Sequence, residues 1–176
     1  YPAESSVKGL EDAERLGFRT VFFSDAFGAY RRTALEREGG FKNGTITMED
    51  EYMAARLILA GHKIAYCAEA QAHHSHAYSI AQEFSRYFDF GVFHAREAWI
   101  QERFGKSEGE GVRLALSQLR WLWKTHPSLV VPAMFRMAAK LAGMRLGRME
   151  KRLPLALKRH LGMNKKYWEN PHQASE

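Results

Sequence analysis

The sequence predicts an α/β domain followed by basic amphipathic helices, and three observations carry this prediction. Short stretches with helical periodicity alternate with short β-branched and aromatic stretches in the first part, which is typical of α/β domains. Only two or three strands are visible there, fewer than a complete sheet has. Residues 1–110 hold 13 basic and 17 acidic residues, whereas residues 111–176 hold 13 and 3. We therefore predict an incomplete α/β domain over 1–110 and a basic helical tail over 111–176.

Composition excludes several classes of protein. Of the 176 residues, 45% are hydrophobic and 26% are charged, which does not fit a disordered tail, a collagen-like chain or a multi-span membrane protein. The single cysteine, Cys67, excludes an intrachain disulfide framework and is expected to be a buried small hydrophobe. The chain opens with Tyr1-Pro2 and lacks the layout of a signal peptide. We therefore expect a cytosolic setting and a natural start further upstream.

The predicted elements of the first part follow from periodicity and capping residues. The sequence predicts two strands, Arg19–Ser24 and Lys63–Cys67. It also predicts four helices. The first runs from Leu10 to Leu16 and is closed by Gly17, and the second is opened by Thr33 and closed by Gly39-Gly40. The third is capped by Thr47 and ends at Gly61, and the fourth is opened by the capping box Ser79–Gln82 and runs to about Arg103. The glycines between Phe104 and Gly111 mark the best linker candidate.

The tail is predicted to be a pair of basic amphipathic helices. In the first, polar residues form one stripe among leucines, valine and tryptophans: Arg113, Ser117, Arg120 and Lys124. The longest charge-free stretch, between Lys124 and Arg136, has 11 residues and two prolines, whereas a spanning helix needs about 20 apolar residues. Contact with a membrane surface and plain packing are both open, and both can hold for different faces.

Two clusters of side chains could carry chemistry. Glu49, Asp50 and Glu51 lie together at a predicted helix start, where solvated acids are common but where a carboxylate can also act as a general base. His74 and His76 share one face of an extended segment and could bind a divalent cation. Two histidines alone do not make a metal site, and they are as readily structural. A His-based metal hydrolase would lack a third convincing ligand.

The order of several motifs resembles the inverting family-2-type glycosyltransferases, and most of all their rhamnosyltransferase-like branch. The resemblance covers about residues 1–168. It rests on the series Phe22–Arg32, Gly39-Gly40-Phe41, Glu49-Asp50, Ala60–Tyr66, His74–Ser79, Arg86-Tyr87-Phe88-Asp89, Ala142–Gly147, Arg152-Leu153-Pro154, Met163 and Tyr167-Trp168.

This resemblance implies a GT-A fold, of which the chain is the C-terminal portion, and a transfer of a sugar with inversion. It implies that Asp50 is the general base and that Glu49 flanks it. It further implies that His74, or as second choice His76, binds Mg²⁺ or Mn²⁺. Ser24, Asp25, Arg31 and Arg86 are implied as substrate-binding residues. The family's Asp-x-Asp metal motif does not occur in this chain. We therefore expect the 176 residues alone to be inactive.

The implied partners are a dTDP- or UDP-sugar donor and a glycan or lipid-linked acceptor in bacterial surface polysaccharide synthesis. The implied location is peripheral, at the cytoplasmic face of the plasma membrane, through the basic tail. The alternative is a non-catalytic module that binds anionic membrane or nucleic acid through its basic helices. Nucleic acid is not expected, because Trp121 and Trp123 lie among leucines rather than among exposed cations.

Overall fold

The computed structural model describes residues 2–106 and 108–169, and these are mostly helical with one small antiparallel sheet. The two strands are β1 (Ser6–Lys8) and β2 (Ile64–Tyr66), paired so that Val7 lies opposite Ala65. The helices are α1 (Ala13–Leu16), α2 (Arg32–Arg37), α3 (Glu49–Leu59), α4 (Ile80–Arg96), α5 (Ala98–Phe104), α6 (Glu108–Thr125), α7 (Val130–Arg148) and α8 (Leu155–Leu161). Short 3-10 turns connect several of them.

The predicted α/β class is therefore confirmed only in part. Strand β2 lies where it was expected, but the predicted strand Arg19–Ser24 is wrong. That stretch begins in a 3-10 turn, Gly17–Thr20, and continues without regular structure. Of its apolar residues only Val21 belongs to the core, whereas Phe22 is 51% exposed. Strand β1, which the sequence did not suggest, pairs with β2 instead.

Helix positions are predicted better than helix starts. Helix α4 begins at the predicted capping box, in which the Gln82 amide donates to Ser79 Oγ at 3.2 Å and the Ser79 amide donates to Gln82 Oε1 at 2.9 Å. The predicted caps at Thr33 and Thr47 are wrong, because the residues before α2 and α3 are Arg31 and Met48.

Two further expectations are corrected. The long helix predicted to reach Arg103 is divided at Glu97 into α4 and α5, because the Glu97 backbone leaves helical geometry with ψ of 42°. The buried position expected for Cys67 is also wrong, because its side chain is exposed. The linker candidate contains Ser107, which lies outside the described residues, and from Glu108 onward it is helical. The end of the predicted tail, residues 170–176, also lies outside them.

The described chain forms two compact units. The first consists of residues up to Asn43, Met48–His76 and Trp99–Lys106, and it contains the small sheet and α3. The second consists of Gly44–Thr47, Ala77–Ala98 and the residues from Ser107 onward. This grouping places α4 with the tail helices. The division at residue 110 into a catalytic part and a membrane tail concerns function and stays a prediction.

The second unit is organised by a very close contact between α4 and α7. A Cβ atom added to Gly143 would overlap the Phe84 carbonyl oxygen, and one added to Gly147 would overlap that of Phe88. On the facing helix, a Cβ on Gly91 would lie 2.9 Å from the Gly147 Cα atom. The contacts advance together along both helices, so α4 and α7 run in the same direction. Small residues four positions apart let helix backbones approach this closely.

The end of the described chain is fastened to this helix pair. The amides of Met163 and Asn164 donate to Asp89 Oδ2 on α4 at 3.1 and 2.8 Å. Trp168 is 1% exposed. Burial raises the pKa of Asp89 to about 6, although the backbone amides favour its charged form.

Candidate active site

Asp50 is held by backbone groups at the start of α3. The Glu51 amide donates to Asp50 Oδ1 at 2.8 Å, and the Asp25 amide donates to Asp50 Oδ2 at 3.2 Å. One donor belongs to the helix itself and the other to the loop before α2, so the carboxylate joins two separate parts of the first unit. Fixing both oxygens orients the carboxylate, which is a property that a general base requires.

The environment makes the acids at this position more basic than usual. Burial is the largest cause that raises the pKa of Asp50, and the charges of Asp25 and Glu49 add to it, while the two backbone amides oppose it. Glu51 is 4% exposed, and burial followed by the Asp50 charge raises its pKa to about 8. The Glu51 carboxyl group is therefore protonated at neutral pH, and it lies directly beside the candidate base.

An aromatic wall borders the acids. The Tyr30 ring lies 4.8 Å from the Phe23 ring and 5.3 Å from the Phe41 ring, measured between centroids. Burial raises the pKa of Tyr30, and the negative charges of Asp50, Asp25 and Glu49 raise it further. Tyr30 therefore stays a neutral phenol. Its hydroxyl is buried without a hydrogen-bond partner among the described residues.

Near the acids, one residue has an unusual backbone conformation and one glycine makes a close approach to a ring. Met48, immediately before α3, has φ of 58° and ψ of 35°, and this left-handed conformation costs a non-glycine residue about 1 kcal/mol. At Gly28, an added Cβ would lie 2.6 Å from the Phe23 ring, so only glycine lets the loop pass over that ring. Such local strain is common at functional sites, because surrounding structure must hold it in place.

The structure brings together some of the predicted site residues. Asp25 contacts Asp50 through its backbone amide, and Glu49 lies one residue before Asp50 with an exposed side chain. Ser24 precedes the 3-10 turn Asp25–Phe27, and the exposed Arg31 precedes α2, so both lie on the same loop as Asp25. None of these placements assigns a role, and the predicted roles stay predictions.

His74 and His76 lie side by side on an exposed segment without regular structure. Their rings meet edge to face with centroids 4.5 Å apart. Within residues 2–106 and 108–169, no group of three or more His, Cys, Asp and Glu side chains could hold a metal ion. The residues present therefore do not form a complete site for Mg²⁺ or Mn²⁺, and we derive no catalytic step through a metal.

Arg86 belongs to the second unit, where it packs against aromatic rings. Its guanidinium lies 5.5 Å from the Tyr78 ring centroid and 5.1 Å from that of Phe90, and Nη1 donates to the Tyr78 hydroxyl at 3.2 Å. These contacts account for the residue structurally, and its substrate-binding role stays a prediction. The neighbouring Phe88 and Asp89 serve the α4–α7 packing and the terminal fastening.

Sequence reasoning missed Tyr30 at the acidic site, and it named Glu51 in the acidic cluster without identifying its burial. Tyr30 was quoted only as part of a motif, and Glu51 was given no role. A signal was present for Glu51, since it lies three and four residues before the buried Ala54 and Ala55 and therefore shares their inward face of α3. No pattern in the sequence indicates that the Tyr30 ring turns toward the acids.

Comparison with known proteins identifies the class of enzyme to which the chain is related, the glycosyltransferases. The chain is 47% identical over 175 residues to the O-antigen chain rhamnosyltransferase WbaN of Salmonella anatum, and 46% identical over 175 residues to the O-antigen chain rhamnosyltransferase RfbN of Salmonella typhimurium. Each alignment covers 99% of this chain. The predicted resemblance to the rhamnosyltransferase-like branch is thus confirmed.

The alignments cover 56% of each relative, so the chain spans about half the length of the curated relatives that it matches. This agrees with the expectation that it corresponds to one part of such an enzyme. No protein-family profile matches the chain, and no solved structure matches it.

Proposed function

We propose that this chain is the acceptor-side part of a glycosyltransferase that moves a sugar from a nucleotide-sugar to a glycan in bacterial surface polysaccharide synthesis. The observation that carries the proposal is the oriented, part-buried Asp50 carboxylate at the start of α3. The similarity to two rhamnosyltransferases supports it and favours rhamnose as the sugar and a dTDP-sugar as the donor, with a UDP-sugar as the alternative. A GT-A fold is part of the proposal.

In the proposed reaction, Asp50 takes the proton from an acceptor hydroxyl. The hydroxyl oxygen then forms a bond to the anomeric carbon of the donor sugar, and the bond from that carbon to the diphosphate oxygen breaks. The nucleoside diphosphate leaves with the electron pair, and attack from the opposite side inverts the anomeric configuration. The raised pKa of Asp50 makes the carboxylate a stronger base.

The neighbouring groups support this base in different ways. The charge of Glu49 adds to the negative field that raises the pKa of Asp50. The neutral Tyr30 phenol can donate a hydrogen bond to an oxygen atom of the acceptor glycan or of the nucleotide-sugar. A divalent cation, Mg²⁺ or Mn²⁺, is proposed with His74 as its histidine ligand and His76 as the second choice, and it requires further ligands that the described residues do not supply.

The test is Asp50→Asn, which keeps the size and one acceptor oxygen of the side chain but removes its basicity. We expect sugar transfer to fall by about 10²–10⁴-fold, which is the usual contribution of a general base. Transfer is measured with a radiolabelled nucleotide-sugar and membranes from cells that express the gene product containing these residues. Glu36→Gln, an exposed carboxylate on α2, is the control. Transfer that Asp50→Asn leaves unchanged would overturn the proposed role.

A peripheral membrane contact through α6 and α7 is the second part of the proposal. Large apolar side chains are exposed there beside the basic residues of α6, including Leu114, Trp121 and Trp123, which are 71%, 57% and 71% exposed. None of the described helices is both long and apolar enough to cross a membrane. Exposed tryptophans next to cations suit the headgroup region of an anionic bilayer, where a lipid-linked acceptor would also reside.

Vesicle sedimentation tests the membrane contact. We expect the chain to sediment with vesicles that contain phosphatidylglycerol and to bind less to pure phosphatidylcholine, because both apolar insertion and charge contribute. Trp121→Ser combined with Trp123→Ser is expected to lower the bound fraction, whereas Trp99→Leu in the first unit is not. Binding that ignores anionic lipid content would count against this part of the proposal.

A further inference from the structure

A cavity lies on the side of α3, separate from the acidic cluster at the start of that helix. Its volume is about 490 Å³, it is open to solvent, and it lies within the first unit. The residues that line it are Glu38, Tyr52, Arg56, Leu59, Ala60 and Trp99. Neither the proposed general base nor the predicted metal ligands belong to it.

Aromatic rings form one wall of this cavity. Tyr52 and Trp99 meet edge to face, with centroids 5.7 Å apart and ring planes at 86°. Lys42 Nζ lies 5.1 Å from the Tyr52 ring centroid, where its charge is attracted to the ring face. Aromatic rings held in place by such contacts offer flat apolar surfaces, and the C–H groups on one face of a pyranose ring can pack against them.

The polar wall is an ion pair whose geometry is fixed. Arg56 donates through Nε and Nη2 to Glu38 Oε2 at 3.2 and 3.0 Å, and the Tyr52 side chain also hydrogen-bonds to Arg56. A guanidinium carries five N–H donors and a carboxylate accepts at both oxygens, so donor and acceptor capacity remains at this wall. Alternating donors and acceptors of this kind match the vicinal hydroxyls of a sugar.

The position of the cavity connects it to the proposed site. Glu49, Tyr52 and Arg56 follow the i, i+3, i+7 spacing and therefore lie on one face of α3. The seven residue steps from Glu49 to Arg56 correspond to about 10 Å along the helix axis. A glycan that presents a hydroxyl to Asp50 at the helix start could thus place a more distant sugar in the cavity.

We propose that the cavity lined by Tyr52, Arg56 and Trp99 binds a neutral pyranose ring of the acceptor glycan. The assignment of this glycan as the acceptor rests on the proposed function, whereas the binding of a pyranose in the cavity does not. Leu59 and Ala60 provide an apolar wall beside the rings, which favours a sugar with an apolar edge, such as a 6-deoxyhexose. Glu38 neutralises Arg56, so a strongly anionic ligand is not favoured.

The binding experiment uses the 176-residue chain and ligand-observed saturation-transfer NMR. The probes are methyl α-L-rhamnopyranoside and methyl α-D-glucopyranoside as neutral pyranosides, the methyl glycoside of glucuronic acid as an anionic one, and dTDP as a nucleotide. Trp99→Leu removes part of the aromatic wall and Arg56→Gln removes the charged donor. Matched controls are Trp121→Leu on α6 and Arg32→Gln, which breaks the exposed ion pair between Arg32 and Glu36.

The proposal expects saturation transfer to a neutral pyranoside, with a Kd at least about tenfold weaker in both cavity variants. Both controls are expected to bind like the unchanged chain. If Trp99→Leu loses folded structure by circular dichroism, Arg56→Gln decides, since its side chain is 42% exposed.

Three results would overturn this proposal. The first is no saturation transfer to any neutral pyranoside, and the second is a Kd for the pyranoside that is unchanged in both cavity variants. The third is that dTDP displaces the pyranoside and itself binds more weakly in the same variants. Failure of the proposed function gives a different pattern. In that case sugar transfer survives Asp50→Asn, while binding of the pyranoside still depends on Arg56 and Trp99.

Discussion

Two of the buried glutamates, one from each compact unit, differ in the charge of their neighbours. Glu150 in the second unit is 0% exposed, and its Oε1 lies 3.1 Å from Arg96 Nη2, while Oε2 contacts Lys158 Nζ. Glu51 in the first unit is 4% exposed, yet the charged group that acts on it most is the negative Asp50. Burial and that like charge raise the pKa of Glu51 to about 8.

The comparison distinguishes a buried acid that is paired with cations, Glu150, from a buried acid whose pKa is raised by burial and a like charge, Glu51. Two cations offset the desolvation of Glu150, so its site joins the end of α4 to α8. The cost of burying acids at the start of α3 is met instead by a shift in pKa, which is typical of functional sites. Burial of a carboxylate alone therefore does not indicate function in this chain.

The largest expected effect tests the structural half of this comparison. Glu150→Ala leaves the side chains of Arg96 and Lys158, 13% and 10% exposed, as buried cations without their carboxylate. Because breaking one partner of a buried pair is strongly destabilising, we expect a loss of about 3–5 kcal/mol in the free energy of unfolding. Urea denaturation at pH 7 measures it.

The control for this substitution is Glu169→Ala. Glu169 lies 4.0 Å from Arg159, and both side chains are about half exposed at 60% and 47%. We expect a change within about 0.5 kcal/mol, because exposed ion pairs contribute little. Equal effects of the two substitutions would remove the distinction between a structural buried acid and a surface one.

A smaller effect is expected from the helix contact that organises the second unit. The methyl group in Gly147→Ala would overlap the Phe88 carbonyl oxygen, so α4 and α7 must move apart, and we expect a loss of about 1–3 kcal/mol. Gly111→Ala on α6 is the matched control, because an added Cβ meets nothing within 4 Å there. It should stabilise by about 0.5–1 kcal/mol. Thermal unfolding of both variants decides, and opposite signs are required.

A further prediction concerns the pH dependence of stability that Glu51 contributes. Its folded-state pKa of about 8 lies above the unfolded value of about 4.3, so the folded state holds the proton more tightly. The stability due to this proton is present below the unfolded pKa and is lost as pH rises through the folded pKa, with a slope of up to about 1.4 kcal/mol per pH unit between them.

Glu51→Gln carries no titrating proton at this position. We therefore expect the variant to gain stability relative to the unchanged chain as pH rises from 5 to 8, measured by urea denaturation at each pH. Glu36→Gln, at an exposed site on α2, should give a curve parallel to that of the unchanged chain. A Glu51→Gln curve that is also parallel would show that Glu51 is ionised in the fold throughout.

Local patterns predicted those elements whose stability is local. The capping box at Ser79 determined the start of α4, and the glycines with positive φ, such as Gly39, Gly40 and Gly61, lie after helices as expected. The strand predicted at Arg19–Ser24 failed, because β-branched and aromatic residues fit any buried extended surface and not only a sheet. Whether they pair as a strand depends on a partner distant in the sequence.

The candidate site divides in the same way. The order of Glu49-Asp50 and of His74-Ser75-His76 predicted the class of enzyme, and the similarity to two rhamnosyltransferases agrees with it. The contact between the Asp25 amide and Asp50 depends on how a loop 25 residues away folds back onto α3. Spacing along the chain does not contain that information.

By itself, the sequence determined the helical segments, the sign of charge in each half of the chain and the resemblance to glycosyltransferases. These depend on residue identity and local order, which the chain carries in full. Only the tertiary structure decided which acids are buried, which cations accompany them, and that the glycines of α4 and α7 meet. These depend on the desolvation and close packing of groups far apart in sequence, which take effect only once the chain has folded.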